Sequence, residues 1–193
     1  MSEVNVTKEM LADLMDGRLE DDYVQRLQRM RRKDKDRFWT YVEVLQDRVP
    51  WDNKILLRLT DHLYIVRTQG DTGRIVKCDC GHEYGDYRVN WKLGCRVRVR
   101  RTAAEFEEVY SPAYVIPEPE WMEIREYYCP GCVAQLAVEV TPPGYPPLFD
   151  MLPDLDTLYR DILERPLDDE SPDWFRDRSS EATAAWQTGG SDA

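Results

Sequence analysis

Histidine is nearly missing from this chain: His62 and His82 are the two among 193 residues, so imidazole acid-base catalysis has few candidates. A glycine-rich phosphate loop, a nucleophile elbow and an HExxH pair are missing too. Phosphoryl transfer, serine-type hydrolysis and zincin chemistry therefore have no recognisable carrier, and no residue is singled out as catalytic or cofactor-binding. No apolar run approaches the roughly 20 residues of a membrane helix, and the opening MSEVNVTKEMLADLMDG lacks the basic start and apolar middle of an export signal. The expected compartment is the cytoplasm, with no membrane partner. Surplus positive charge is also lacking. A net charge of -11 opposes bulk attraction to nucleic acid or anionic lipid, and the stretch from Glu164 onward is its most acidic part.

What is present starts with helical periodicity. Leu11, Leu14 and Met15 repeat at helical spacing and stop before Gly17; Tyr23, Leu27 and Met30 repeat after it. The second helix opens on Glu20, Asp21 and Asp22 and closes on Arg31, Arg32 and Lys33, the favourable polarity for its dipole. A third, from about Asp36 to Asp47, aligns Phe38, Val42, Leu45 and Val49. After VPWDN the period changes. KILLRLTDHLYIVRT, RIVKC, CRVRVRR, MEIREYYC and LAVEV predict about five antiparallel strands, with a helical insert at TAAEFEEVY. TPPGYPPLFDMLPDLD must be mostly extended because its prolines lack the backbone donor. LDTLYRDILE predicts one short helix, and the end of the chain, low in aliphatics, is expected to have little order of its own. Trp174, Phe175 and Trp186 either pack back on this chain or anchor a partner.

The resulting expectation is an α+β chain in three parts: N-terminal helices (residues 1–50), a small antiparallel β module with a zinc-ribbon-like four-cysteine site (51–142), and a proline-rich extended segment, short helix and acidic tail (143–193).

Five cysteines carry the most specific signal. Cys78 and Cys80 in KCDCGHEY, and Cys129 and Cys132 in YCPGC, are two short-range pairs at strand ends. This is the usual way of supplying four thiolates to a tetrahedral ion. A reducing cytosol disfavours disulfides, and no thioredoxin-like pattern surrounds the CxxC for a redox role. The expected metal ligands are Cys78, Cys80, Cys129 and Cys132, with His82 as the alternative to Cys80 and zinc or iron as the ion. A filled four-sulfur shell leaves no open position for water, so the metal is read as structural. Cys95 is expected on a strand's core face with Val97 and Val99. Alternation then puts Arg96, Arg98 and Arg100 on the opposite face as a basic stripe, which supports an alternative reading as a zinc ribbon that binds nucleic acid.

Several stretches together resemble a known family: LMDGRLEDD, DKDRFWTYVEVLQDRVPWDNKILL, VKCDCGHEYGDYRVNWKL, EWMEIREYYCPGC and YPPLFDMLPDLDTLYRDIL, in that order over about residues 10 to 165. The chain is similar to the gamma subunits of acetone carboxylases, bacterial three-subunit enzymes. The resemblance implies a part in ATP-dependent carboxylation of acetone with bicarbonate to acetoacetate. It implies a zinc-binding, non-catalytic role for this chain beside larger alpha and beta subunits. ATP and manganese (Mn2+) are then expected only in those partners, and no nucleic acid is expected. The tail beyond Glu164 is longer than the family pattern, and Cys95 is not part of it.

Overall fold

Helix α1 (Lys8–Met15) begins where the Thr7 hydroxyl accepts from the Met10 amide at 3.2 Å, a side-chain cap for one of the first-turn donors. Helix α2 (Asp21–Arg29) has Asp21 and Asp22 in its first turn and Arg26 and Arg29 in its last, so its charges oppose its dipole at both ends. Helix α3 (Arg37–Gln46) buries Val44 and Leu45. The structure is a computed structural model that describes residues 6–31, 36–68, 73–111 and 115–188, with side chains to residue 184. Arg32 and Lys33, expected at the end of α2, and the side chain of Trp186 lie outside the described residues.

Among the described residues seven strands form two antiparallel meanders. The first sheet runs β1 (Ile55–Arg58), β2 (Leu63–Arg67), β3 (Arg74–Cys78) and β4 (Glu83–Asp86), in that spatial order. The second runs β5 (Arg96–Arg100), β6 (Glu123–Tyr128) and β7 (Gln135–Thr141). The mixed α+β class is as the sequence predicts; the number of strands is higher. KILLRLTDHLYIVRT folds on itself as the β1–β2 hairpin. The short β4, with Gly85 in it and no β-branched residue, has no propensity signal and exists through its pairing with β3.

One core joins the parts. Leu56, Leu63, Ile65 and Val76 of the first sheet pack with Leu136 of the second and with Leu155 and Tyr159 of the C-terminal segment. That segment is helical, as expected: α5 (Leu155–Thr157) continues into a wider turn at Leu158–Ile162. The Tyr159 hydroxyl donates to the Leu56 carbonyl at 2.8 Å, and its ring meets Phe38 and Trp39 of α3 edge-on at 6.0 and 5.6 Å. Residues 142–154 carry no regular element, in keeping with their prolines. Among the described residues no helix is long and apolar enough to cross a membrane.

Two sequence expectations are corrected. In β5 the expected valine face does not meet the core, Val97 being 46% exposed, and of the expected arginine stripe Arg96 and Arg98 are exposed while Arg100 is 4% exposed. The cause is helix α4 (Ala103–Glu107), started by a Thr102–Glu105 capping box, which folds over the Arg100 end. There Arg100 donates to Glu126 at 2.8 Å, to Glu108 and to the Glu105 carbonyl. The second correction concerns the tail, which carries regular elements among its described residues. A turn at Pro172–Phe175 and helix α6 (Ser179–Thr188) follow α5. Trp174 supplies the reason, because it packs back on the chain with the guanidinium carbons of Arg74 and Arg88 at 4.6 and 4.5 Å from its ring centroid. Its indole donates to the Asp169 carbonyl at 2.8 Å, and its own carbonyl accepts from the Tyr87 hydroxyl at 2.6 Å.

Candidate metal centre

The turn from β3 to β4 and the turn from β6 to β7 meet at their tips. In the first turn the Cys78 amide donates to the His82 carbonyl and the Gly81 amide to the Cys78 carbonyl, both at 2.8 Å. Gly81 sits at φ +94, a conformation that costs glycine little and other residues more. In the second turn the Cys129 amide donates to the Ala134 carbonyl and the Val133 amide to the Cys129 carbonyl, both at 2.9 Å. Trp51, at the end of the α3–β1 connection, caps the first turn: its indole N–H is shared between the Cys78 and Asp79 carbonyls at 3.1 Å each.

These two turns bring the Sγ atoms of Cys78, Cys80, Cys129 and Cys132 within 4.8 Å of one another. Cys78 faces Cys132 at 3.8 Å, and Cys80 faces Cys129 at 3.8 Å. Such separations are far beyond the roughly 2.05 Å of a disulfide. They match the edge of a tetrahedron of sulfurs about 2.3 Å from a central zinc, which is about 3.8 Å. Glycine at 131 is required by the same closeness, since a Cβ there would lie 3.1 Å from the Cys80 sulfur and 3.3 Å from the His82 Cβ. The donor set therefore fits a four-coordinate ion.

Electrostatics agree. Burial raises the Cys78 thiol, and its sulfur neighbours add to that rise against the Cys80 amide. At Cys129 burial also opposes ionisation, but the Tyr84 hydroxyl and the amides of Cys132 and Gly131 outweigh it and lower the thiol to about 6. The Tyr84 hydroxyl is itself buried without a conventional acceptor; it lies beside the Cys129 sulfur. One thiolate is thus favoured in place and further ones are resisted, which a divalent cation would reverse.

His82 stays outside the cluster, its ring edge-on to Tyr84 at 4.9 Å between centroids. Cys95 stays outside as well: its thiol reaches the Trp91 carbonyl at 3.7 Å, and burial pushes it up to about 12 despite the Tyr84 hydroxyl. His62, in the β1–β2 connection, pairs with Asp79 at 2.6 Å on the flank of the first cysteine turn. The sequence reading missed Trp51 and Tyr84 as parts of the centre. An aromatic in VPWDN and another in HEY carry no spacing signal, because their role arises only when two distant turns meet.

Comparison with known proteins fits this picture. A family described as the acetone carboxylase gamma subunit matches residues 49–163, a span that includes all four cysteines. The chain is 42% identical over 161 residues to the acetone carboxylase gamma subunit of Xanthobacter autotrophicus, covering 83% of this chain and 95% of that protein. It is 38% identical over 81 residues to the acetophenone carboxylase beta subunit of Aromatoleum aromaticum, covering 42% of this chain and 63% of that protein.

Proposed function

The chain belongs to the acetone carboxylase gamma subunit family, and from that premise we propose that it is a non-catalytic, zinc-binding subunit of an ATP-dependent ketone carboxylase. Its task is to organise larger catalytic subunits that bind the nucleotide, the bicarbonate and the ketone. The observation that carries this reading is the approach of four cysteine sulfurs to within 4.8 Å from turns belonging to two separate sheets. Cys78, Cys80, Cys129 and Cys132 would hold the ion as four thiolates, and a zinc bound in this way supplies folding energy rather than an activated water. Trp51 and Gly131 keep the two turns in position, and Tyr84 orders the sulfur environment. Acetone is favoured over acetophenone as the ketone class by the longer match to the acetone carboxylase relative.

The nucleic-acid reading is not favoured. Arg98 pairs with Glu108 at 2.9 Å, Arg100 with Glu126 at 2.8 Å, and Arg101 with Glu123 at 3.0 Å. Charges already neutralised by carboxylates release few counterions from DNA or RNA.

The test is native mass spectrometry and metal analysis of the chain purified with its natural partners. Two larger subunits and one zinc per copy of this chain are expected, with ketone-dependent ATP hydrolysis only in the assembly. A lone chain that hydrolyses ATP with acetone, or one that carries no metal, overturns the proposal.

A further inference from the structure

The open face of the second sheet carries a groove that takes no part in the metal centre. Pairing of β5 with β6 puts Val97 opposite Tyr127 and Val99 opposite Arg125. Arg101 follows in the same alternation and reaches Glu123, so all six side chains share one face. The groove encloses about 380 Å³, walled on one side by Tyr145 and Pro147 of the proline-rich segment. That size is within the range of small-molecule sites.

Its polar end is built around one buried carboxylate. Glu123, with a side chain 3% exposed, accepts from Arg125 Nε at 2.7 Å and from Arg101 Nε at 3.0 Å. The Arg125 side chain is 9% exposed. Apart from the Tyr127 hydroxyl beside it, no acceptor among the described residues meets the terminal nitrogens of either arginine. Both arginines line the groove, and a guanidinium held through Nε keeps terminal donors that can take a carboxylate bidentately.

Charge selects the ligand class. Lys92, at the other end of the groove, is satisfied by Glu139 at 2.6 Å, by Asp150 and by the Leu148 carbonyl at 2.9 Å. Lys92 with two carboxylates leaves its end of the groove one charge negative, and Arg101 and Arg125 against Glu123 leave the other end one charge positive. This matches one carboxylate and disfavours a phosphate dianion. Val97, Val99 and Tyr145 offer an apolar floor and wall beyond the forks. We infer that the groove is a carboxylate site, in which Arg101 and Arg125 hold the carboxylate and the two valines and Tyr145 hold a short apolar body. The inference is independent of the metal reading. The carboxylate comes either from a free small acid or from an acidic side chain of another subunit.

The experiment is saturation-transfer difference NMR on the full chain with butyrate, using butyramide as the neutral isostere. Butyrate binds and butyramide is at least about tenfold weaker, as loss of a charge-assisted pair requires. Arg101→Gln weakens butyrate about tenfold with unchanged metal content and melting temperature, because that side chain is 68% exposed. Arg125→Lys keeps the charge but removes the fork, and weakens binding as well. The same titration on the purified multi-subunit assembly separates the sources: retained binding identifies a free small acid, while binding present in the free chain but blocked in the assembly identifies a partner's carboxylate. No butyrate signal from the free chain, equal signals from butyrate and butyramide, or an Arg101→Gln variant that binds normally overturns the site.

Discussion

Trp51 holds the backbone of Cys78 from outside the cysteine turn, through an indole N–H that lies 3.1 Å from the Cys78 carbonyl and 3.1 Å from that of Asp79. A residue of the α3–β1 connection is thus a support of the first thiol pair. Trp51→Phe keeps the ring and loses the donor, and should lower stability by about 1 kcal/mol, the ordinary net value of such a bond. Denaturant unfolding would measure this, and metal loss to a chelator should accelerate in parallel. An unchanged rate of metal loss would mean that the indole is a packing group only.

Glycine at two positions separates crowding at the centre from backbone strain alone. Gly131→Ala drives a Cβ against the Cys80 sulfur, whereas Gly85, at φ +82, has nothing within 4 Å of where its Cβ would stand. Gly131→Ala should lose roughly tenfold or more in metal affinity, the usual scale for disturbing a ligand's support. Gly85→Ala should lose about 1 kcal/mol of stability through its left-handed backbone and retain the metal. Competition titration against a chromogenic chelator distinguishes the two.

Cysteine substitutions should divide in the same way. Cys129→Ser is expected to lose metal and cooperative unfolding together, since one sheet's pair no longer closes the shell. Cys95→Ser, outside the cluster and bonded to the Trp91 carbonyl, should keep full metal content. Metal analysis after gel filtration decides, and a Cys95 variant without metal would show that the fifth cysteine is a ligand after all.

Acid should release the C-terminal segment. Arg74, whose side chain is fully buried, pairs with Asp156 at 2.6 Å and with Asp169 at 2.8 Å. Burial works to raise the Asp169 carboxyl, but the bonds and charges of Arg74 and Arg67 hold it below the usual carboxylate range. A group depressed in this way stabilises fully above its unfolded pKa of about 3.9 and loses that contribution as pH falls through the lower folded value. Tail protection in hydrogen exchange should therefore decline below about pH 4. Asp169→Asn should cost about 1–3 kcal/mol at neutral pH, since Asp156 still pairs with the buried cation, and should flatten the acid response. A wild-type acid profile in the variant would assign the transition to other carboxylates.

Much of the fold can be read from local pattern. The helices are marked by periodicity at Leu11, Leu27 and Leu45, and most strands by runs such as RIVKC and MEIREYY. The two cysteine pairs are legible because a short spacing at a strand end has few other uses. What could not be read depends on contacts between distant segments. Nothing local states that α4 would cover the end of β5, so CRVRVRR does not show that Arg100 is buried while Val97 is exposed. Nothing in SPDWFRDRSS states that Trp174 would lie between Arg74 and Arg88. Composition predicts little order there, and tertiary anchoring overrides it. The arginine pair at Glu123 was equally hidden, because the sequence shows Arg101 and Arg125 far apart and only strand pairing joins them.

The pairing of Arg74 also bears on synthesis. The cation lies on β3, and its two carboxylate partners stand 82 and 95 residues later in the chain. At about 5–20 residues per second, a ribosome delivers the second partner roughly 5–20 s after the arginine. Through that interval the first sheet either leaves Arg74 in water or buries it unpaired, so the nascent chain holds an incompletely closed sheet until its last quarter has emerged. A stop codon before Asp156 would therefore cost more than the missing residues: it would leave an early strand with a charge that the rest of the protein was built to neutralise.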